Sequence, residues 1–171
     1  TAFMIPADTP GITISKHEDK MGQRCVHVNS MYFNEVRIPE RFRLGEEGKG
    51  YPLAMSILSA SRPAVGAVSV GIAQAALDEA IAYSKERVVY GKPICKHQGI
   101  GFMLADMEIK VQAARQMVWA ACRSADAGHR NNKLSSAAKC FAADTAMSVT
   151  TDAVQIFGGN GYSREYPVEK L

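Results

Sequence analysis

Val65-Gly66-Ala67-Val68-Ser69-Val70-Gly71-Ile72-Ala73-Gln74-Ala75-Ala76-Leu77 is almost wholly apolar or small, with Ser69 and Gln74 its polar residues. Val65, Val68, Ile72 and Ala76 recur at helical spacing along one side. Val70, Leu77 and Ile81 do so along another. A helix apolar around much of its girth is expected to be buried on several sides. Lys85-Glu86-Arg87 and the break Gly91-Lys92-Pro93 end it.

Downstream, Met107, Val111, Ala114 and Val118 mark a second helix, with Asp106, Lys110 and Arg115 elsewhere around it. It is expected over 98–127, stopping at Gly128. The Asn131-Asn132 turn leads into a third helix holding Leu134, Ala138, Phe141, Thr145 and Ile156. Gly158-Gly159-Asn160-Gly161 terminates that helix, since glycine enters left-handed backbone conformations cheaply. Tyr166-Pro167-Val168-Glu169 reads as the first turn of a fourth helix, with Pro at its start. Long helices joined by short loops pack as an antiparallel up-down bundle. Helices apolar on more than one face need further partners, and a homo-oligomer is expected.

Upstream of residue 46 the pattern is different. Ala2–Ile5, Ile12–Ser15, Val26–Val28 and Met31–Ile38 are short strand-like runs separated by turn formers. Met31, Phe33 and Val36 alternate with polar neighbours, which predicts one wet face. The expected fold is α+β by content and mainly α. Residues 1–46 form a remnant of a β-barrel-like domain, read as the tail of a larger one, and 47–171 a truncated helical bundle.

The chain has 171 residues, 47% apolar and 22% charged, with a net charge of +3. That is room for about one domain and a fragment. It is neither disordered nor strongly basic, so nucleic acid is not an expected partner. No unbroken run of 18 apolar residues exists, so no membrane span is expected, and the N-terminus lacks the features of a signal peptide. Cys25, Cys95, Cys122 and Cys140 stand singly, which suits a reducing compartment and mostly buried thiols. His17, His27, His97 and His129 show no metal-ligand spacing, and no metal is expected.

Three local patterns admit a functional and a plain reading. Met55, Leu58, Ser59 and Arg62 share a helical face and could wall an acyl chain with one fixed cation. By spacing alone they read more simply as a core face ending in a surface arginine. Pro63 beside them frees a backbone carbonyl. Arg87 with Tyr90 could hold a phosphate and a ring, or simply close a helix whose dipole favours cations. The glycine run at 158–161 lacks a preceding strand and reads as a cap before a phosphate cradle. No nucleophile elbow, P-loop or zinc motif is present.

Taken together and in order, a set of motifs is more specific. It comprises Met21-Gly22-Gln23-Arg24, Phe33-Asn34-Glu35-Val36-Arg37-Ile38-Pro39, Arg62-Pro63, Gly71-Ile72-Ala73-Gln74-Ala75-Ala76-Leu77, and Glu86-Arg87 to Tyr90-Gly91-Lys92. His97-Gln98 and Asp152-Ala153-Val154-Gln155-Ile156-Phe157-Gly158-Gly159-Asn160-Gly161-Tyr162 complete it. The set resembles the acyl-CoA dehydrogenase family, nearest to its medium- and short-chain members, over essentially the whole chain.

The resemblance implies a tetrameric flavoprotein whose C-terminal bundles form its centre, with FAD across a subunit boundary. It implies α,β-dehydrogenation of acyl-CoA thioesters to trans-2-enoyl-CoA in fatty-acid β-oxidation, with electrons passed to an electron-transfer flavoprotein. The location implied is cytoplasmic in a bacterium or the mitochondrial matrix in a eukaryote. Arg87 matches the family arginine on the FAD pyrophosphate, and Tyr90 an aromatic beside the nucleotide. Ile94, His97 and Ile100 match positions near the adenosine, and Gln155, Gly158 and Gly159 the contacts to a neighbouring subunit's FAD. Met55, Leu58, Ser59 and Arg62 match the helix beside the thioester and pantetheine.

Departures accompany the match. Val89 stands where threonine is frequent, and Ser59 where close relatives have Asp. The catalytic glutamate is expected beyond Leu171, and the flavin-ring contacts upstream of Thr1. The alternative position for the base is Ser61, which has no base strength for this proton. Two other readings stay open: a non-catalytic oligomerisation or nucleotide-binding module, and an acyl-CoA oxidase-like relative.

Overall fold

The computed structural model describes residues 1–129 and 131–171. Contacts divide the chain into two compact units, Thr1–Met55 and Ser56–Leu171.

The first unit holds two separate antiparallel ladders rather than a continuous sheet. Strand β1 (Ala2–Phe3) and strand β4 (Arg43–Leu44) pair with Phe3 opposite Arg43. Strands β2 (Ile12–Ile14) and β3 (Met31–Phe33) pair with Thr13 opposite Tyr32. Two expectations fail here. Val26–Val28 is no strand: the Lys20 ammonium gathers the Gln23 and Val26 carbonyls at 2.9 and 2.6 Å, holding a turn instead. The run from Met31 ends at Phe33, because Glu35 enters positive φ (48°). Met31, Tyr32 and Phe33 are all exposed, so the expected division into a dry and a wet face is absent.

Helix α1 (Gly50–Glu86) begins in the first unit and runs through the second. It continues through the buried Pro63 without a break. Helix α2 (Gln98–Asp126) turns off at Gly128, whose N–H bonds the Ala125 carbonyl. Helix α3 (Asn132–Phe157) starts where the Asn131 side chain accepts the Leu134 N–H at 3.0 Å, an N-cap that satisfies an otherwise orphaned donor. A 3-10 segment, Gly158–Tyr162, follows. The expected fourth-helix turn is a short 3-10 helix, Pro167–Lys170.

Two buried clusters set the bundle. Val70 packs with Ala114, Val118, Ala121, Ala138 and Ala142. Ala73, Ala76, Leu77 and Ala80 pack with Met107, Val111, Val149 and Ala153. The first half of this stretch of α1 therefore meets late α2 and early α3, and its second half meets early α2 and late α3. That pattern makes α2 antiparallel to both neighbours. Alanine at so many contacts lets the backbones approach closely, and dispersion contacts rather than bulky side chains fill the interior.

The two expected faces of α1 are covered unequally. Val70 and Leu77 are buried, while the other side is bare at Val65 and Val68, 48% and 58% exposed, and buried only farther along at Ala76. Phe141 is likewise an exposed position on α3. An 18-residue stretch of α1 reaches a mean hydropathy of 1.3, with 17% of it buried within the chain, so length and composition alone would let this helix cross a membrane. The absence of an unbroken apolar run understated this, because alanines carry the average between its few polar residues. The thiols also differ from expectation: Cys25 and Cys140 are exposed, Cys95 and Cys122 half-buried, and all four are free.

Candidate cofactor cleft

Beyond Glu86 the chain forms a two-residue β-hairpin not anticipated from sequence. Strands β5 (Val88–Val89) and β6 (Lys92–Pro93) pair with Val89 opposite Lys92. Tyr90 and Gly91 between them have φ of 51° and 78°, the positive values a type I′ turn requires. Glycine takes this conformation freely, whereas Tyr90 takes it at a cost. The Ile94 N–H bonds the Arg87 carbonyl at 2.8 Å and closes the hairpin base. His97, entering α2, reaches back with Nε2 to the Val89 carbonyl at 3.1 Å. A carbonyl only accepts, so that nitrogen carries the proton and Nδ1 is left as an acceptor in the neutral ring.

Opposite the hairpin lies the glycine segment, and its three glycines serve different ends. Gly158 has φ 60° and redirects the chain at the end of α3. Gly161 is a close approach: a β-carbon there would lie 2.6 Å from the Val154 carbonyl oxygen. Gly159 has neither constraint, with no positive φ and no protein atom within 4 Å of a β-carbon. The open side of Gly159 faces a cleft.

That cleft has a volume of about 540 Å³, within the range of roughly 300–1,000 Å³ usual for small-molecule sites. Arg87, Val89, Tyr90, Ile94, His97 and Ile100 line one side, and Ile156, Phe157, Gly158, Gly159 and Asn160 the other, with Tyr83 between. Arg87 is its one cation, and no carboxylate lines it. Among the described residues the Arg87 guanidinium makes no ion pair. An unpaired cation beside isoleucines, an imidazole and aromatic rings suits a ligand with phosphate at one end and a heteroaromatic ring at the other.

Eight of the nine residues expected to bind the cofactor are thus brought together. Gln155 is the exception: it is exposed on α3 outside the lining, and its carbonyl accepts the Gly158 N–H. Met55, Leu58, Ser59 and Arg62 are elsewhere on α1. Arg62 and Arg87 are separated by about 37 Å along the helix axis, at roughly 1.5 Å per residue. Arg62 Nη1 donates to Ser59 Oγ at 3.3 Å, so these two do meet. Ser61 donates its hydroxyl to the Leu58 carbonyl at 3.2 Å. Tyr83, Ile156, Phe157 and Asn160 also line the cleft, with no site role read for them from the sequence. Tyr83 lies one helical turn before Arg87 and Asn160 inside the glycine run, spacings that could have flagged both. Among the described residues no cluster of three or more metal-ligating side chains occurs.

The second unit is thus a helical bundle with a cleft between a helix-end hairpin and a glycine segment, and Arg87 lines that cleft. Comparison with known proteins gives its family. The sequence model of the acyl-CoA dehydrogenase C-terminal domain matches residues 48–171. Cyclohexane-1-carbonyl-CoA dehydrogenase of Geobacter metallireducens is 47% identical over 169 residues, 99% of this chain and 44% of that protein. The structure of butyryl-CoA dehydrogenase from Megasphaera elsdenii matches with a TM-score of 0.95 at 48% identity, over 98% of this chain and 44% of that one. A chain in the structure of the electron transferring flavoprotein of Acidaminococcus fermentans matches with a TM-score of 0.95 at 43% identity, again over 98% and 44%. The chain belongs to the acyl-CoA dehydrogenase family. It spans less than half the length of these relatives.

Proposed function

We propose that this chain is the cofactor-holding and subunit-packing part of an FAD-dependent acyl-CoA dehydrogenase, which converts acyl-CoA thioesters to trans-2-enoyl-CoA and passes electrons to an electron-transfer flavoprotein. The observation that carries the proposal is the convergence of Arg87, the Val89–Ile94 hairpin, His97 and Gly158–Gly159 on one cleft.

The residues present fit FAD. The free guanidinium of Arg87 is placed to pair with a pyrophosphate through charge-assisted bonds. Gly159, open on its outer side, lets a ligand approach the backbone where any side chain would intrude. Val89, Ile94 and Ile100 offer apolar contact, and His97 and Tyr90 flank the mouth. Val89 supplies no hydroxyl to a phosphate, so Arg87 carries more of the anion recognition. When bound, FAD supplies the hydride acceptor for the β-carbon.

The acyl-CoA side rests on Met55, Leu58, Ser59 and Arg62. Arg62 Nη1 donates to the uncharged Ser59 hydroxyl oxygen, and with no carboxylate at 59 the guanidinium charge is left for the substrate. Ser61 is engaged with a backbone carbonyl and is no proton acceptor for a weakly acidic α-carbon. The base is instead a glutamate following the matched segment. The uncovered apolar side of α1, with Ile57, Val65 and Val68 exposed, supports subunit packing in a tetramer.

The test is a visible absorption spectrum after FAD is added to the purified chain and excess is removed. A retained flavin band is expected, and a colourless protein would remove the cleft's assignment. Adding an acyl-CoA to the flavin-loaded chain should then cause no bleaching, since none of these residues serves as the base. In a complete enzyme, fast reaction of the reduced flavin with oxygen would mark an oxidase instead.

A further inference from the structure

We infer that Tyr83 is a positioning residue that fixes the glycine wall of the cleft against the hairpin wall, and thereby sets affinity for the adenine-dinucleotide cofactor; the affinity half of this rests on the cofactor reading above.

Tyr83 belongs to both walls. Its carbonyl accepts the Arg87 N–H at 2.9 Å, so its backbone anchors the helical turn that carries the cation. Its ring stacks on Phe157 with centroids 4.0 Å apart and a tilt of 15°. Its hydroxyl accepts from Asn160 Nδ2 at 2.9 Å and donates to the Phe157 carbonyl at 3.5 Å. Tyr166 closes the cluster edge-on to both rings, at 5.9 Å from Tyr83 and 5.5 Å from Phe157.

The residues so held are the ones flanking Gly158 and Gly159. Two adjacent glycines are the most permissive link a chain can have. Gly159 touches no protein atom that would limit it on its outer side. Its location is therefore inherited from Phe157 before it and Asn160 after it, and Tyr83 grips both. A phenylalanine at 83 would keep the stack and lose the bridge. A ligand would then have to order the glycine segment on binding, which lowers affinity without unfolding the bundle.

The experiment compares Tyr83→Phe with the unsubstituted chain by FAD titration, thermal melting and amide hydrogen exchange. Asn160→Ala and the double substitution complete a cycle. Expected is a roughly tenfold loss of FAD affinity, as for one lost net hydrogen bond. Exchange at Gly159–Gly161 should be faster, with the melting temperature changed by no more than a few degrees. Asn160→Ala should reproduce the affinity loss, and the double substitution should add little. Unchanged exchange in Tyr83→Phe, or additive losses in the double, would overturn the inference. If the unsubstituted chain takes up no FAD, the cofactor reading fails and the affinity half falls with it. The exchange comparison then still decides whether Tyr83 holds the glycine segment.

Discussion

A β-carbon on Gly66 would stand 2.9 Å from Val118 Cγ2, with the Ala138 carbonyl oxygen at 3.5 Å. Gly66 is the point where α1, α2 and α3 come together. Gly66→Ala gains about 1 kcal/mol of helix propensity. It also pushes on a buried, β-branched side chain with a stiff χ1, at a cost of about 1–3 kcal/mol. The expected net effect is a destabilisation of about 1 kcal/mol, read by denaturant unfolding. Adding Val118→Ala to that background should lose less than the sum of the two single changes. A more stable Gly66→Ala would mean the helices have room to spare at this crossing.

Gly159 and Gly161 should respond oppositely to the same change. Gly161→Ala drives a methyl group to 2.6 Å from the Val154 carbonyl and should lower the melting temperature. Gly159→Ala meets no protein atom within 4 Å, so melting should stay within the ±0.5 kcal/mol usual for surface changes. Flavin retention should nevertheless fall in Gly159→Ala. Full retention would show that the ligand does not press against this backbone.

Arg87 makes no ion pair among the described residues, so removing it breaks nothing the fold uses. Arg87→Ala should melt as the parent does and lose FAD in gel filtration, with Arg87→Lys intermediate because an ammonium lacks the planar fork. Equal retention in all three would take Arg87 out of the site.

Tyr90 occupies a left-handed turn position, at φ 51°, that asparagine fills more comfortably. Tyr90→Asn should therefore stabilise the chain by a few tenths to about 1 kcal/mol. The same change removes a ring at the mouth of the cleft and should weaken flavin binding. A variant that gains in both respects would mean the tyrosine is only a surface residue.

The helix ends were legible because their signals are local: Gly128 after α2, Asn131 before α3 and Gly158 after it are each set by backbone chemistry within a turn. Most of the cleft was legible for a related reason, since Arg87 through Ile100 lie close together in the chain. The hairpin at Val88–Pro93 was not, because Tyr90 is a poor residue for the turn it occupies. Tyr83 went unnoticed because an aromatic residue on an apolar helix reads as core, and only its contact with Asn160, 77 residues away, gives it a second use. In the first unit the Val26–Val28 run has strand composition, but the Lys20 ammonium claims the Val26 carbonyl for a turn, and such a capture leaves no trace in periodicity. The covered and bare sides of α1 look alike in composition, so which one the bundle buries depends on where α2 and α3 lie.

The order in which α1 acquires its neighbours matters while the chain is being made. Its inner face packs on α2 and α3, and α3 is complete only at Phe157. Between the synthesis of Glu86 and that of Phe157 lie about 4–14 seconds, at roughly 5–20 residues per second. In the part of that interval before α2 is complete at Asp126, a helix with the hydropathy of a membrane span has neither side covered. Its apolar surface is therefore most open to off-pathway association before the helices that bury its inner face have been made.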